Sequence, residues 1–171
     1  MYQPNEYIVY GSSGVCQITD LCRSPFLPND ERMYYVMKPI SDTGTSVIYT
    51  PVDNEAVPTR RLLTSMQIDE LIARIPSLGL LEIEEEKRRK DVYKSALATV
   101  DPEMYIRLIK TVYQRRLLAK ERKKRLPEMD NEYDSIARRC LYSELSLVLG
   151  IPYHEVEQYL VDRVEKDAAG V

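Results

Sequence analysis

Side chains suited to covalent or metal chemistry are few in this chain: one histidine, His154, and three cysteines, Cys16, Cys22 and Cys140. A lone histidine without a cysteine cluster cannot assemble a zinc ligand set. A Ser–His or Cys–His dyad could use only His154, and no G-x-S-x-G nucleophile turn occurs. The stretch GSSG at 11–14 is too short for a phosphate loop and lacks the lysine characteristic of one. No catalytic constellation, cofactor site or metal site is therefore expected, and the chain reads as non-enzymatic. The odd number of cysteines and the lack of a C-x-x-C pair argue against a disulfide framework, so buried thiols are expected.

The remaining chemistry is that of cations. Fourteen of the 24 basic residues fall between 87 and 125. Lys87, Arg88, Arg89 and Lys90 form one group, with Lys94 one turn beyond it. Arg107, Lys110, Arg115, Arg116, Lys120, Arg122, Lys123, Lys124 and Arg125 make up a second, against a single acid, Glu121. Such a concentration suits phosphate groups, although the net charge of −3 gives no global case for nucleic acid. The chemistry it offers is contact with a nucleic-acid backbone without base reading. A structural reading stands beside it. Glu82, Glu84, Glu85 and Glu86 precede the first group, and Glu84/Arg88 and Glu86/Lys90 have the (i, i+4) spacing of a solvated, self-paired helix face.

Two kinds of element must position these residues. Up to about residue 63 the pattern is that of short strands and turns. EYIVY leads to the GSSG turn, where Gly11 and Gly14 can supply positive φ. VCQITDL comes next, then a proline-containing loop, then a hairpin of RMYYVMKPI and TSVIYTPV with residues 42–44 at its turn. Four or five strands in some 60 residues suggest a small, strongly bent antiparallel sheet or barrel that leans on the helices C-terminal to it.

From Thr64 the period becomes helical. Thr64 and Gln67 have capping-box spacing before Ile68, Leu71, Ile72 and Ile75. A second helix is expected over about 82–99. A third starts at Asp101-Pro102, a fourth spans about 131–149 with Gly150 at its C-terminal stop, and a fifth begins near Pro152. The fold class is thus α+β, a small β module followed by an all-helical part of about five helices. The start of the chain lacks the basic and apolar regions of a signal peptide and no apolar run could span a membrane, so a cytoplasmic protein without membrane contact is expected.

The order of motifs adds a resemblance. Val9, Tyr10, Gly14 and Val15 fit a V-Y-x-x-x-G-V pattern, Tyr34, Val36, Lys38 and Pro39 a Y-x-V-x-K-P strand, and Pro51 to Asn54 read P-V-D-N. In order and spacing these resemble the CarD (CdnL-like) family of bacterial RNA polymerase-binding transcription regulators, and the likeness extends more loosely through the helical part. The resemblance implies a Tudor- or SH3-like domain over 1–60 that binds the β-subunit lobe of RNA polymerase by strand addition. It implies a helical domain over 64–171 whose basic surface meets promoter DNA at the upstream edge of the bubble and stabilises the open complex.

Carried onto this sequence, the docking residues are Arg23, in the loop before the hairpin, with Val47, Ile48, Tyr49, Thr50 and Pro51; Tyr49 could equally be an ordinary sheet tyrosine. The DNA-facing residues are Lys87, Arg88, Arg89, Lys90, Arg115, Arg116, Lys120, Lys123 and Lys124. The family's minor-groove tryptophan has no counterpart, and Leu80, Leu81 and Glu82 lie near its position. The partners expected are the RNA polymerase β subunit and promoter DNA; a monomer is the default reading, and the oligomeric state stays open. Two rivals remain open: an adaptor that binds polymerase without touching DNA, and an RNA- or ribosome-binding module.

Overall fold

The computed structural model describes residues 1–41 and 44–170. Strands β1 (Tyr7–Tyr10), β2 (Gly14–Arg23), β3 (Met33–Pro39), β4 (Ile48–Pro51) and β5 (Thr59–Arg61) form one antiparallel sheet in the order β4-β3-β2-β1-β5. Helices α1 (Ser65–Arg74), α2 (Arg89–Ala98), α3 (Pro102–Glu121), α4 (Glu128–Leu149) and α5 (Val156–Ala168) complete the chain. The α+β class is therefore the one observed. Asp42 and Thr43 of the expected hairpin turn lie outside the described residues.

Alternation along the strands explains why the sheet has two apolar faces. Ile8, Cys16, Ile18, Tyr35 and Met37 bury one small core on the inner face. Val9 and Val15, the intervening residues, point the other way and pack on Val100 between α2 and α3. A short 3-10 turn, Gly11–Ser13, joins β1 to β2. Gly11 (φ +48°) leaves no room for a side chain, because a Cβ would stand 2.8 Å from Val57 Cγ1. At Gly14 (φ +71°) a Cβ would meet Cys140 Sγ at 3.3 Å, so the start of β2 lies directly on α4.

The helices share one core, with Ile68, Leu71 and Ile72 from α1, Tyr93 and Leu97 from α2, Tyr105, Leu108 and Val112 from α3, Leu141 and Leu145 from α4, and Val156 from α5. The caps read from sequence are present. Thr64 Oγ1 accepts from Gln67 N while Gln67 Oε1 accepts from Thr64 N. Asp101 caps α3 through Glu103 N at 2.9 Å, and Gly150 ends α4 with φ +67°.

The second helix differs from expectation. It begins at Arg89, after a 3-10 turn at Glu86–Arg88, and residues 78–85 are not α-helical. Helix α3 provides the reason. Arg107 donates to the carbonyls of Gly79 (3.3 Å) and Leu80 (2.9 Å), Lys110 donates to those of Ile75 and Leu78, and Thr111 Oγ1 accepts from Leu81 N at 2.8 Å. Partners that a helix would supply internally come here from a neighbour. Glu84/Arg88 and Glu86/Lys90 consequently do not form; Glu86 pairs with Arg89 and Arg115 instead.

A buried ion pair ties the sheet to the helices. Glu144 of α4, fully buried, accepts from Arg60 Nη1 (2.7 Å) and Nη2 (2.8 Å) and from Leu63 N (2.8 Å). Arg60 Nε also donates to the Val100 carbonyl at 2.6 Å. Burial opposes the charge on Arg60, but the hydrogen bonds and charge of Glu144 outweigh it and the guanidinium is held above its ordinary pKa. Val100, buried and β-branched, has φ +51°, a strained backbone for such a residue.

Two of the three cysteines are buried as expected; Cys22 is only half-buried. Burial, and then proximity to Cys140, pushes the Cys16 thiol up to about 12, and burial also raises Cys140. A thiol reagent at pH 8 should therefore label Cys22 rapidly in the native protein, and Cys16 and Cys140 only after unfolding. Labelling stoichiometry with and without denaturant checks this.

Candidate functional site

Two surfaces carry the residues singled out by sequence. The first is the β4 end of the sheet. Among the described residues strand β4 pairs with β3 alone, Val36 opposite Tyr49 and Met37 opposite Ile48, and ends the strand order. At the opposite end, β5 is three residues long and is held to α4 through Arg60. Thr50 faces inward, 4% exposed, and receives the Tyr10 hydroxyl at 3.2 Å. Tyr49, on the alternate face, is 38% exposed.

Tyr49 does not stand alone. The exposed Phe26 ring meets it edge-on at 5.3 Å, and Leu27, Met33 and Val47 are also exposed large apolar residues. Sequence reasoning missed Phe26, the chain's one phenylalanine, because it sits among prolines in a loop where no periodicity marks it. Ser24 Oγ accepts from the backbone of Phe26 and Leu27, and Asp30 anchors both Arg32 and the Tyr34 hydroxyl, giving that loop a defined shape. Arg23 lies in β2, as its last residue and opposite Met33, rather than in the loop. Val47 precedes β4; Ile48, Thr50 and Pro51 lie within it.

The second surface is basic, and the structure divides its cations into two sets. Arg89 and Arg115 face inward to Asp130 of α4. Asp130, fully buried, receives the Tyr93 hydroxyl at 2.7 Å and Arg89 Nη2 at 3.1 Å, and lies 3.3 Å from Arg115 Nε. Both arginines also pair with Glu86. The Glu86 carboxyl is held below its usual range, chiefly by the hydrogen bond from Arg115. Arg116 pairs with Asp134 at 3.3 Å.

The other cations face solvent. Lys87 pairs with Glu85, while Arg88, Lys90, Lys120, Lys123 and Lys124 have no ion-pair partner among the described residues. Asp130 and Asp134 could have been found by phase, because they fall on the same α4 stripe as Ala137, Leu141 and Leu145.

The basic segments converge. A groove of about 480 Å³ is lined by Glu86, Arg115, Arg122, Lys124 and Arg125. Glu86, the first residue of the turn that carries Lys87 and Arg88, thus meets the α3–α4 connection, 122–127, at one groove although some 35 residues separate them, whereas Arg88 lines a different concavity with Leu81, Glu82 and Asp91. Leu81 is 7% exposed in the helical core, whereas Leu80 is 44% exposed. Among the described residues no helix is long and apolar enough to cross a membrane, and no group of three or more His, Cys, Asp or Glu is placed to hold a metal ion.

Residues 2–63, the whole of the sheet, match the family model described as the CarD-like/TRCF RID domain. No curated protein matches the chain.

Proposed function

We propose that this chain, whose residues 2–63 belong to the CarD-like/TRCF RID domain family, is a non-enzymatic transcription regulator that docks on RNA polymerase through β4. The observation that carries the reading is the position of β4 at the end of the sheet, flanked by exposed Tyr49 and Phe26. An end strand offers backbone groups to a partner strand, and adjacent aromatic side chains supply the buried contact. The partner is the β-subunit lobe. The basic groove then approaches promoter DNA at the upstream edge of the bubble and stabilises the open complex through backbone contacts.

Tethering explains how a chain with net charge −3 can use DNA at all. Polymerase binding raises the local concentration of the groove beside the promoter, so its intrinsic affinity can be low. Free DNA binding should be weak and salt-sensitive, log K falling by about 0.9 per phosphate neutralised for each tenfold rise in salt. Direct binding of a purified β-lobe to the full chain tests the docking step. Tyr49→Glu is expected to weaken it by about tenfold or more, as for a central aromatic contact. Equal binding by the variant would remove β4 as the docking edge.

A second reading is favoured by the acidic run at Glu82–Glu86 and by the internal pairing of Arg89 and Arg115: an adaptor that binds polymerase without DNA contact. The Arg88→Glu, Lys124→Glu variant separates the two. Loss of the transcriptional effect with polymerase binding intact supports DNA contact. An unchanged effect supports the adaptor.

A further inference from the structure

A second concavity lies on the inner side of the sheet, at the mouth formed by β1, β3, β4 and the 52–58 loop. Its volume is about 310 Å³, at the small end for ligand sites. Among the described residues, three tyrosines, Tyr2, Tyr10 and Tyr35, line it, and Glu55 is the one charged residue in its wall.

The walls are fixed in advance. The Tyr35 hydroxyl accepts from Tyr2 N at 2.8 Å, and the two rings stand 5.8 Å apart at 56°. The Tyr10 hydroxyl donates to Thr50. Asn54 folds the loop by accepting from Ala56 N and Val57 N and donating to the Val57 carbonyl. Val57 in turn sits against Gly11, where no side chain fits.

Aromatic rings present negative faces, and a carboxylate at the rim adds charge of the same sign. Among the described residues, no cation lines the wall to neutralise Glu55 or the Tyr10 and Tyr35 rings. Arg61, outside the cavity, already lies 5.3 Å over the Tyr2 ring, so this ring does attract a cation. We propose that the cavity lined by Tyr2, Tyr10, Tyr35 and Glu55 is a binding site for an alkylammonium group, held by cation–π contact and the Glu55 carboxylate. The cavity suits a headgroup of this size, and the apolar Ile8 and Val52 beside the tyrosines accommodate methyl groups. The assignment stands whether or not β4 docks on a partner.

The test is a titration of the full chain followed by amide NMR shifts at residues 50–59. The probes are choline, its uncharged isostere 3,3-dimethyl-1-butanol, and an N-acetyl trimethyllysine amide. Choline is expected to bind about tenfold more tightly than the isostere, a gain of the size a partly desolvated cation–π contact gives. Tyr10→Leu should remove the preference. Glu55→Gln, at an exposed position, should reduce it without disturbing the fold. Tighter binding of the trimethyllysine amide than of choline identifies a protein side chain as the source of the group; the reverse identifies a free quaternary amine. Equal binding of the isostere, shifts confined to other residues, or no shift at any soluble concentration would overturn the assignment.

Discussion

Replacing Glu144 by alanine is expected to cost about 3–5 kcal/mol of stability, because it leaves a guanidinium in the interior without its counter-charge. Arg60 is only 21% exposed at its side chain, and Glu144 is its one carboxylate partner among the described residues. The substitution also strands Leu63 N, which donates to the same carboxylate. Urea unfolding would register the change as a midpoint lowered by roughly 1.5–2.5 M for an m-value near 2 kcal/mol/M. Glu144→Gln keeps acceptor and shape but not charge, and should fall between wild type and alanine. The Arg60→Met, Glu144→Leu pair should recover much of the loss, since two apolar side chains need no desolvation to enter. An alanine variant within about 0.5 kcal/mol of wild type, the range of an ordinary surface change, would show that the pair is not closed in solution.

Asp130→Ala should have a similar effect in the helical part, again about 3–5 kcal/mol. Two donors lose their acceptor at once, the Tyr93 hydroxyl and Arg89 Nη2, and Arg115 loses its inner ion-pair partner at 3.3 Å, leaving both arginines with Glu86 alone. The same site predicts an alkaline limit. Burial first, then the hydrogen bond to Asp130, holds Tyr93 above its ordinary value of 10.0. The unfolded chain therefore releases that proton more easily than the folded one. The stability contributed is complete below about pH 10 and declines as pH rises beyond it. Tyr105, raised chiefly by burial, acts in the same direction. Tyr93→Phe should flatten the decline, as urea midpoints measured from pH 8 to 11 would show. A decline equally steep in the variant would assign it to other groups.

The elements with strong local signals are legible in the sequence. Thr64 with Gln67, Asp101 with Pro102, and Gly150 each announce a helix boundary by chemistry that acts within a few residues. The short apolar runs around Ile8, Val9, Val15 and Cys16 likewise announce strands, whose two faces are both covered. What escaped depends on partners distant in sequence. The segment 82–88 has the composition of a helix, yet α3 captures the carbonyls just before it and draws the chain out. Arg89 and Arg115 look like Lys87 and Lys120 in a count of charges. Asp130, 41 residues beyond Arg89, is what separates them. The β4 strand could be read as a strand, but its place at the end of the sheet is a property of topology, and Phe26 beside it carries no periodic mark.

Val100 gives the chain a constraint on its kinetics. Its left-handed backbone costs on the order of 1–3 kcal/mol, and Val9, Val15 and the Arg60 side chain are what hold it. Residues of the sheet are therefore needed to keep a turn between two helices. A species with the helices assembled and the sheet open would carry the strain without its restraint, and would be thinly populated. Unfolding should accordingly proceed as one cooperative event, with a single relaxation and no protease-resistant helical remnant along the way.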